Sequence, residues 1–90
     1  MRRVAIVGNA GSGKTTLALT LGRRLVLPVI HLDRHFWRPG WRETAKPEWE
    51  ETHARFIAGD AWIIDGNYGG TMEARLARAD TALFLDISRG

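Results

Sequence analysis

One short stretch near the start of the chain restricts its possible folds more than any other feature. Residues 8–15 read Gly8-Asn9-Ala10-Gly11-Ser12-Gly13-Lys14-Thr15, which satisfies G-x-x-x-x-G-K-[ST] at every fixed position. Gly8, Gly11 and Gly13 allow backbone conformations that a Cβ would crowd, so successive N–H groups can turn inward on an anion. A helix beginning at Lys14 adds its own unpaired N–H groups and the positive end of its dipole. Lys14 then brings a full charge to the β- and γ-phosphates of a nucleotide, and the Thr15 hydroxyl suits Mg²⁺. Thr16 closes the candidate nucleotide-binding set, although it also reads as an ordinary helix residue. The alternatives are a plain strand-to-helix turn, or a dinucleotide-binding loop of the G-x-G-x-x-G kind, in which Lys14-Thr15 would have no role.

The motif needs a strand before it and a helix after it, and the flanking sequence predicts both. Arg3–Val7 is a short β-branched run. Lys14–Leu27 is a predicted helix with Leu17, Ala18, Leu21 and Leu25 on one face, Arg23 and Arg24 near its C-terminus, and Pro28 ending it. Val29–Leu32 is a second strand ending at Asp33, and Arg34–Lys46 a loop with a Pro39-Gly40 turn. Pro47–Ala58 is a second helix with Gly59 at its C-cap. Ala61–Ile64 is a third strand ending at Asp65, and Gly66–Gly70 a loop. Thr71 caps a third helix over Met72–Ala79, and Thr81–Leu85 is a fourth strand ending at Asp86. Strands alternating with helices predict an α/β fold: a parallel sheet with helices on both faces and right-handed crossovers.

Composition narrows the chemistry. Ninety residues at 44% hydrophobic content make a single globular domain, 1–90. The absence of cysteine excludes disulfides, thiolate metal sites and thiol nucleophiles. No apolar run is long enough to span a bilayer. Met1-Arg2-Arg3 before Val4–Val7 superficially resembles a signal peptide, but the run breaks at Gly8-Asn9 and meets Lys14, so a cytoplasmic setting is expected. Thirteen basic residues face ten acidic ones, a net charge of +3, and only Lys14 and Lys46 of the basic set are lysines. That arginine bias suits phosphate, although the same charge fits ordinary solubility.

In a parallel sheet Asp33, Asp65 and Asp86 would share the edge at which the glycine loop leaves the first strand, the edge where such sheets bind ligands. Asp65 is the better metal candidate if the third strand neighbours the first, with Asp86 its rival. Asp33, farther out, suits orientation or deprotonation of an acceptor hydroxyl, or a cap. Arg34–Arg42 interleaves Arg34, Arg38 and Arg42 with Phe36, Trp37 and Trp41. It reads as an acceptor-binding segment with Arg38 on phosphate, a single-stranded nucleic-acid surface, or a packed loop. Arg75 either reaches the edge of the site or, like Arg78, is a solvated helix charge. His31 and Trp62 read as packed residues, and His53 as partly buried. The three histidines have no metal-ligand spacing.

Taken in order, Gly8–Thr15, Leu27–Asp33, Phe36-Trp37-Arg38-Pro39-Gly40-Trp41, Trp62-Ile63-Ile64-Asp65-Gly66-Asn67-Tyr68, Arg75, Ala79-Asp80 and Leu83–Asp86 resemble the P-loop proteins known as DNA topology modulation proteins or adenylate-kinase-related kinases. The resemblance covers essentially the whole chain. It implies a P-loop NTPase of nucleoside-monophosphate-kinase type, with strand order 2-3-1-4-5 and Asp65 beside the phosphate loop. It implies ATP and Mg²⁺ as cofactors and phosphoryl transfer to a small-molecule or nucleotide acceptor. Lys14, Asp33 and Asp65 would be the catalytic set, Thr15 and Asp65 would serve the metal, and Asp33, Arg38 and Arg75 would address the acceptor. A non-catalytic ATP-binding or nucleic-acid-associated role is the alternative. Members of that family continue past the position of Gly90 with a lid and a fifth strand, so the resemblance implies a truncated domain. Its first helix would cover one face and the other two the opposite face. The face beside the first helix would be short of a second one, and the open edge on the fourth strand would permit self-association.

Overall fold

Val4–Val7 can bury both its faces only in the middle of a parallel sheet, and that is where it lies. The computed structural model describes residues 1–8, 13–38, 40 and 42–85, with backbone alone at 37, 38 and 69. The expectations placed on Asn9, Ala10, Gly11, Ser12, Pro39, Trp41, Asp86 and the Arg38 side chain lie outside these described residues. The elements are β1 (Arg3–Gly8), α1 (Lys14–Leu25), β2 (Val29–His31), α2 (Leu32–Phe36), β3 (Trp37–Arg38) and β4 (Arg42–Glu43), then α3 (Lys46–Ile57), β5 (Trp62–Asp65), α4 (Gly69–Arg78) and β6 (Thr81–Leu85). The main sheet has the order β2-β5-β1-β6, all parallel.

Strand alternation sorts the core into two layers. Val4, Ile6 and Ile63 meet Ala18 on α1, with Leu17, Leu21, Leu83 and Leu85 against them. On the opposite face Ala5, Trp62 and Ile64 meet Trp49 and Ile57 of α3, with Leu76 of α4 beside them. Every residue of β5 is buried, as expected of a strand with neighbours on both edges and helices on both faces. Each fully buried large side chain here contributes about 1.5–3 kcal/mol of transfer free energy. The division of helices between faces is the one anticipated. The exposed apolar side chain on β6 is Phe84, however, 68% exposed and in register with Val7, and so on the α3–α4 side rather than beside α1. Among the described residues no helix is long and apolar enough to cross a membrane.

The sheet is closed at its N-terminal edge by Asp80, in the turn between α4 and β6. Its carboxylate accepts the backbone N–H groups of Arg2 and Arg3 at 2.9 and 3.0 Å. These bonds hold its pKa down at about 2.

Several boundaries differ from expectation. Helix α1 stops at Leu25, two residues early, because Val26 turns into the left-handed region at φ 55° and the Leu27 N–H reaches back to the Gly22 carbonyl at 3.1 Å. Leu25, expected on the buried face, is 37% exposed at this terminus. Ala58, not Gly59, caps α3 in ordinary right-handed geometry. Helix α4 begins at Gly69, which places Thr71 inside its first turn; its hydroxyl donates to the Tyr68 carbonyl at 3.1 Å.

The largest revision concerns residues 34–46. They fold into the end of α2 and the β3–β4 hairpin, pairing Trp37 with Glu43 and Arg38 with Arg42. Buried Thr44 ties that hairpin to α2 through its N–H and its hydroxyl, both donated to the Phe36 carbonyl.

Left-handed backbone costs a residue with a Cβ roughly 1–2 kcal/mol, and glycine's extra freedom in the unfolded chain offsets about half of that. Val26 is 86% exposed and has little packing to lose. Val26→Gly should therefore stabilise the fold by about 0.5–1 kcal/mol. A lowered midpoint in thermal or urea unfolding would contradict this account of the helix end.

Candidate functional site

The glycine motif joins β1 to α1 at the C-terminal edge of the sheet. Its described end is Gly13, at φ 88° in the left-handed region, which serves as the N-cap of α1. Gly13 has no side chain with which to cap this helix, and the first turn carries no acidic residue. The positive end of the helix dipole lies here, with Lys14 as the first helical residue and Thr15 and Thr16 exposed beside it.

Asp65 ends β5, next to β1, with Ile6 as its register partner. Alternation along β5 places Asp65 on the same side as Ile63, the side covered by α1. The carboxylate is 5% exposed, and the Nδ1–H of His31, its register partner on β2, donates to Oδ2. His31, expected merely to be packed, is therefore a polar partner of the metal candidate. Among the described residues there is no cluster of three or more His, Asp or Glu side chains able to cage a metal.

The segment after Asp65 ties the site together. Gly66, at φ 143°, has no room for a side chain, since a Cβ would stand 2.8 Å from that of Leu32. Its N–H bonds the Ile6 carbonyl at 3.1 Å. Asn67 grips Gly8 at both polar groups: the Gly8 N–H donates to Oδ1 at 3.0 Å, and Nδ2 donates to the Gly8 carbonyl at 2.8 Å. The Tyr68 hydroxyl donates to Oδ1 of Asp33 at 2.5 Å. Three consecutive residues thus reach β1, the first residue of the glycine motif and the Asp33 carboxylate.

Two expected site residues stand elsewhere than their patterns suggested. Asp33 does not end a strand. β2 stops at His31, and Leu32 and Phe36, one helical turn apart, dock on the α3 side and wind Leu32–Phe36 into α2, with Asp33 exposed in its first turn. Arg75, expected at the acceptor edge, is fully buried. Its Nη1 donates to Thr71 Oγ1 at 3.0 Å and to His53 Nε2 at 3.1 Å, and its Nη2 to the Gly66 and Asn67 carbonyls at 3.3 and 3.0 Å. Nε has no partner among the described residues. Arg75 therefore holds the 66–67 turn in place and does not face an acceptor. Burial lowers its pKa to about 10, so it remains a cation at neutral pH. The same burial, reinforced by the charge of Arg75, lowers His53 to about 4 and keeps it a neutral acceptor.

Asn67, Tyr68, His31 and His53 were not singled out as site residues from sequence. Only the run Asp-Gly-Asn-Tyr directly after an apolar strand marks the first two. His53 lies 22 residues from its partner Arg75, and nothing local joins them. Of the aromatic residues expected to face an acceptor in the 34–42 segment, Phe36 packs inward: its ring lies 5.2 Å from Trp49 and 4.6 Å from Tyr68.

No family model matches the chain. It is similar to a tRNA dimethylallyltransferase from Synechococcus sp. (strain CC9902), 36% identical over 86 residues, or 94% of this chain. It spans only 28% of the length of that relative. The parallel sheet, the helices on both its faces and the complete motif heading α1 are consistent with a P-loop NTPase fold.

Neutral His53 makes stability depend on pH with a definite sign. Its folded pKa lies below its unfolded value of 6.5, so the unfolded chain binds more protons between 6.5 and about 4. Stability should fall as pH drops through that window. His53→Gln, which keeps an acceptor for Arg75 but cannot titrate, should flatten the slope in urea unfolding between pH 7 and 4. An unchanged slope would show that His53 is not the group responsible.

Proposed function

We propose that the chain is the nucleotide-binding part of an ATP- and Mg²⁺-dependent kinase of nucleoside-monophosphate-kinase type, transferring a phosphoryl group to a small-molecule or nucleotide acceptor. The observation that supports this reading is the N-terminus of α1, led by Gly13-Lys14-Thr15, at the same sheet edge as Asp65 on the neighbouring central strand. That end of the molecule combines the positive end of a helix dipole, a lysine, a hydroxyl and a carboxylate, the groups that nucleotide phosphates and their metal require.

In this reading Gly8–Thr16 surround the phosphates, and Lys14 offsets the charge that builds up as the γ-phosphoryl leaves. Thr15 and Asp65 would hold Mg²⁺, which supplies further charge neutralisation when bound. Asp33 stands on the acceptor side, where its carboxylate can orient a hydroxyl and take its proton. The acceptor oxygen bonds to the γ-phosphorus, the bond to the β-phosphate oxygen breaks, and ADP departs. Positioning and charge account for most catalysis in such transfers.

The 36% identity to the tRNA dimethylallyltransferase favours one other reading: a cradle for the diphosphate leaving group of a dimethylallyl donor, with RNA as acceptor. Both readings use Lys14 on phosphate, and they differ in the donor bound.

Titration of the chain with ATP and Mg²⁺, and separately with dimethylallyl diphosphate, distinguishes them. ATP should bind, and Lys14→Ala should weaken it at least about tenfold, the loss expected for a charge-assisted contact. Unchanged affinity in the variant would overturn the phosphate assignment. Tighter binding of dimethylallyl diphosphate would replace the kinase reading with the alkyl-transfer one.

A further inference from the structure

A cavity of about 220 Å³ lies beyond the phosphate end, between α2, α3 and the start of α4. Phe36, Trp49 and Tyr68 form its aromatic wall, and Gly70 and Thr71 line it from α4. The rings brace one another: Phe36 and Trp49 meet edge to face at 83°, and Trp49 and Tyr68 at 61° with centroids 5.3 Å apart. Trp49 is 5% exposed and Thr71 6%. The remaining lining comes from Lys46 and Glu50, both exposed on α3.

Three properties determine what such a space can take. Its volume is below that of a pocket for a drug-sized ligand, so it admits one small ring. Its walls are almost wholly apolar, and the Thr71 hydroxyl is already engaged with the Tyr68 carbonyl and Arg75. A nucleobase placed there would lose water from its polar edges without replacement, at a cost of several kcal/mol. An aromatic hydrocarbon ring suffers no such loss and finds three rings to pack against. The third property is the polar end. Tyr68 lines the cavity and donates its hydroxyl to Asp33, so an exposed carboxylate stands at the hydroxyl end of one of the lining rings.

We infer that this cavity is a subsite for an alcohol carrying a single aromatic ring, with the ring against the wall formed by Phe36, Trp49 and Tyr68 and the hydroxyl at Asp33. The inference rests on the kinase reading for the fate of that hydroxyl, and it narrows the acceptor from nucleotides to small aromatic alcohols. Tyr68 adjoins Asn67, which grips Gly8, so the cavity wall and the start of the phosphate loop belong to one braced segment.

Gly70 provides a test that leaves the fold intact. A Cβ built there meets no atom within 4 Å, and leucine is a better helix former than glycine. A leucine at this position would occupy the cavity. Benzyl alcohol is the probe, titrated into the chain without nucleotide and followed by two-dimensional NMR, with Gly70→Leu in parallel and a thermal midpoint for each. The expected result is saturable shifts at the Trp49 indole, Gly70 and Thr71, and at least tenfold weaker binding in a Gly70→Leu variant that melts no lower than wild type. Toluene should bind more weakly than benzyl alcohol, and Asp33→Ala should abolish that difference.

Binding unchanged in Gly70→Leu, no binding by the folded wild type, or tighter binding of adenosine than of benzyl alcohol would each overturn the subsite. Equal affinity for toluene and benzyl alcohol would overturn the role of Asp33. Because nucleotide is absent, a failed ATP titration leaves the subsite standing, and ATP binding without probe binding removes the subsite alone.

Discussion

A buried cation holds the functional edge of this molecule together. Arg75 has no exposed surface, and its guanidinium donates to two consecutive backbone carbonyls, a threonine hydroxyl and a histidine ring. Removing a charge from water costs several kcal/mol unless hydrogen bonds replace the lost hydration, and here carbonyl dipoles supply much of that replacement. The arrangement works only because His53 is neutral. Burial and the adjacent charge both oppose its protonation, which leaves Nε2 as an acceptor. Helix α3, helix α4 and the turn after β5 are fastened at one point.

That turn carries the restraint to the phosphate end. With the Gly66 and Asn67 carbonyls held by Arg75, the Asn67 side chain is placed to meet both polar groups of Gly8, where β1 enters the glycine motif. Gly66 fits against Leu32 only because it lacks a Cβ. Tyr68 continues the same run onto Asp33. From His53 on α3 to Asp33 these bonds pass through Arg75 and three residues adjacent in sequence, Gly66, Asn67 and Tyr68. A preorganised anion site needs fixed donors, and this chain of bonds supplies that rigidity from outside the loop itself.

Charge is distributed to the same end. The N-terminus of α1 carries a partial positive charge, and Lys14 adds a whole one. Asp65 and Asp33 stand at the C-terminal edge of the sheet but are engaged differently, Asp65 buried against His31 and Asp33 exposed under Tyr68. In the proposed kinase reading the buried carboxylate serves the phosphate side and the exposed one the acceptor side.

The four strands of the main sheet and the helices α1, α3 and α4 were legible in the sequence, because burial on two faces demands the β-branched runs and amphipathic helices that periodicity reveals; the strand order was implied by the family resemblance and not by periodicity. The glycine motif was equally legible, since its chemistry is local and contiguous. Asp65 could be placed at the right edge because parallel strands bring their ends together. The folding of residues 34–46 was not legible. Two-residue strands and a five-residue helix are stabilised by Thr44 on Phe36 and by the docking of Leu32 and Phe36 on α3, contacts with no periodic signature. The same holds for Arg75, whose spacing on α4 is that of any surface arginine. Local sequence determined where the glycine motif lies, between β1 and α1. The partners of Arg75, His53, His31 and Asn67 were decided by tertiary structure alone, because a hydrogen bond between distant residues depends on which backbone groups the fold leaves within 3 Å, a quantity that no spacing along the chain encodes.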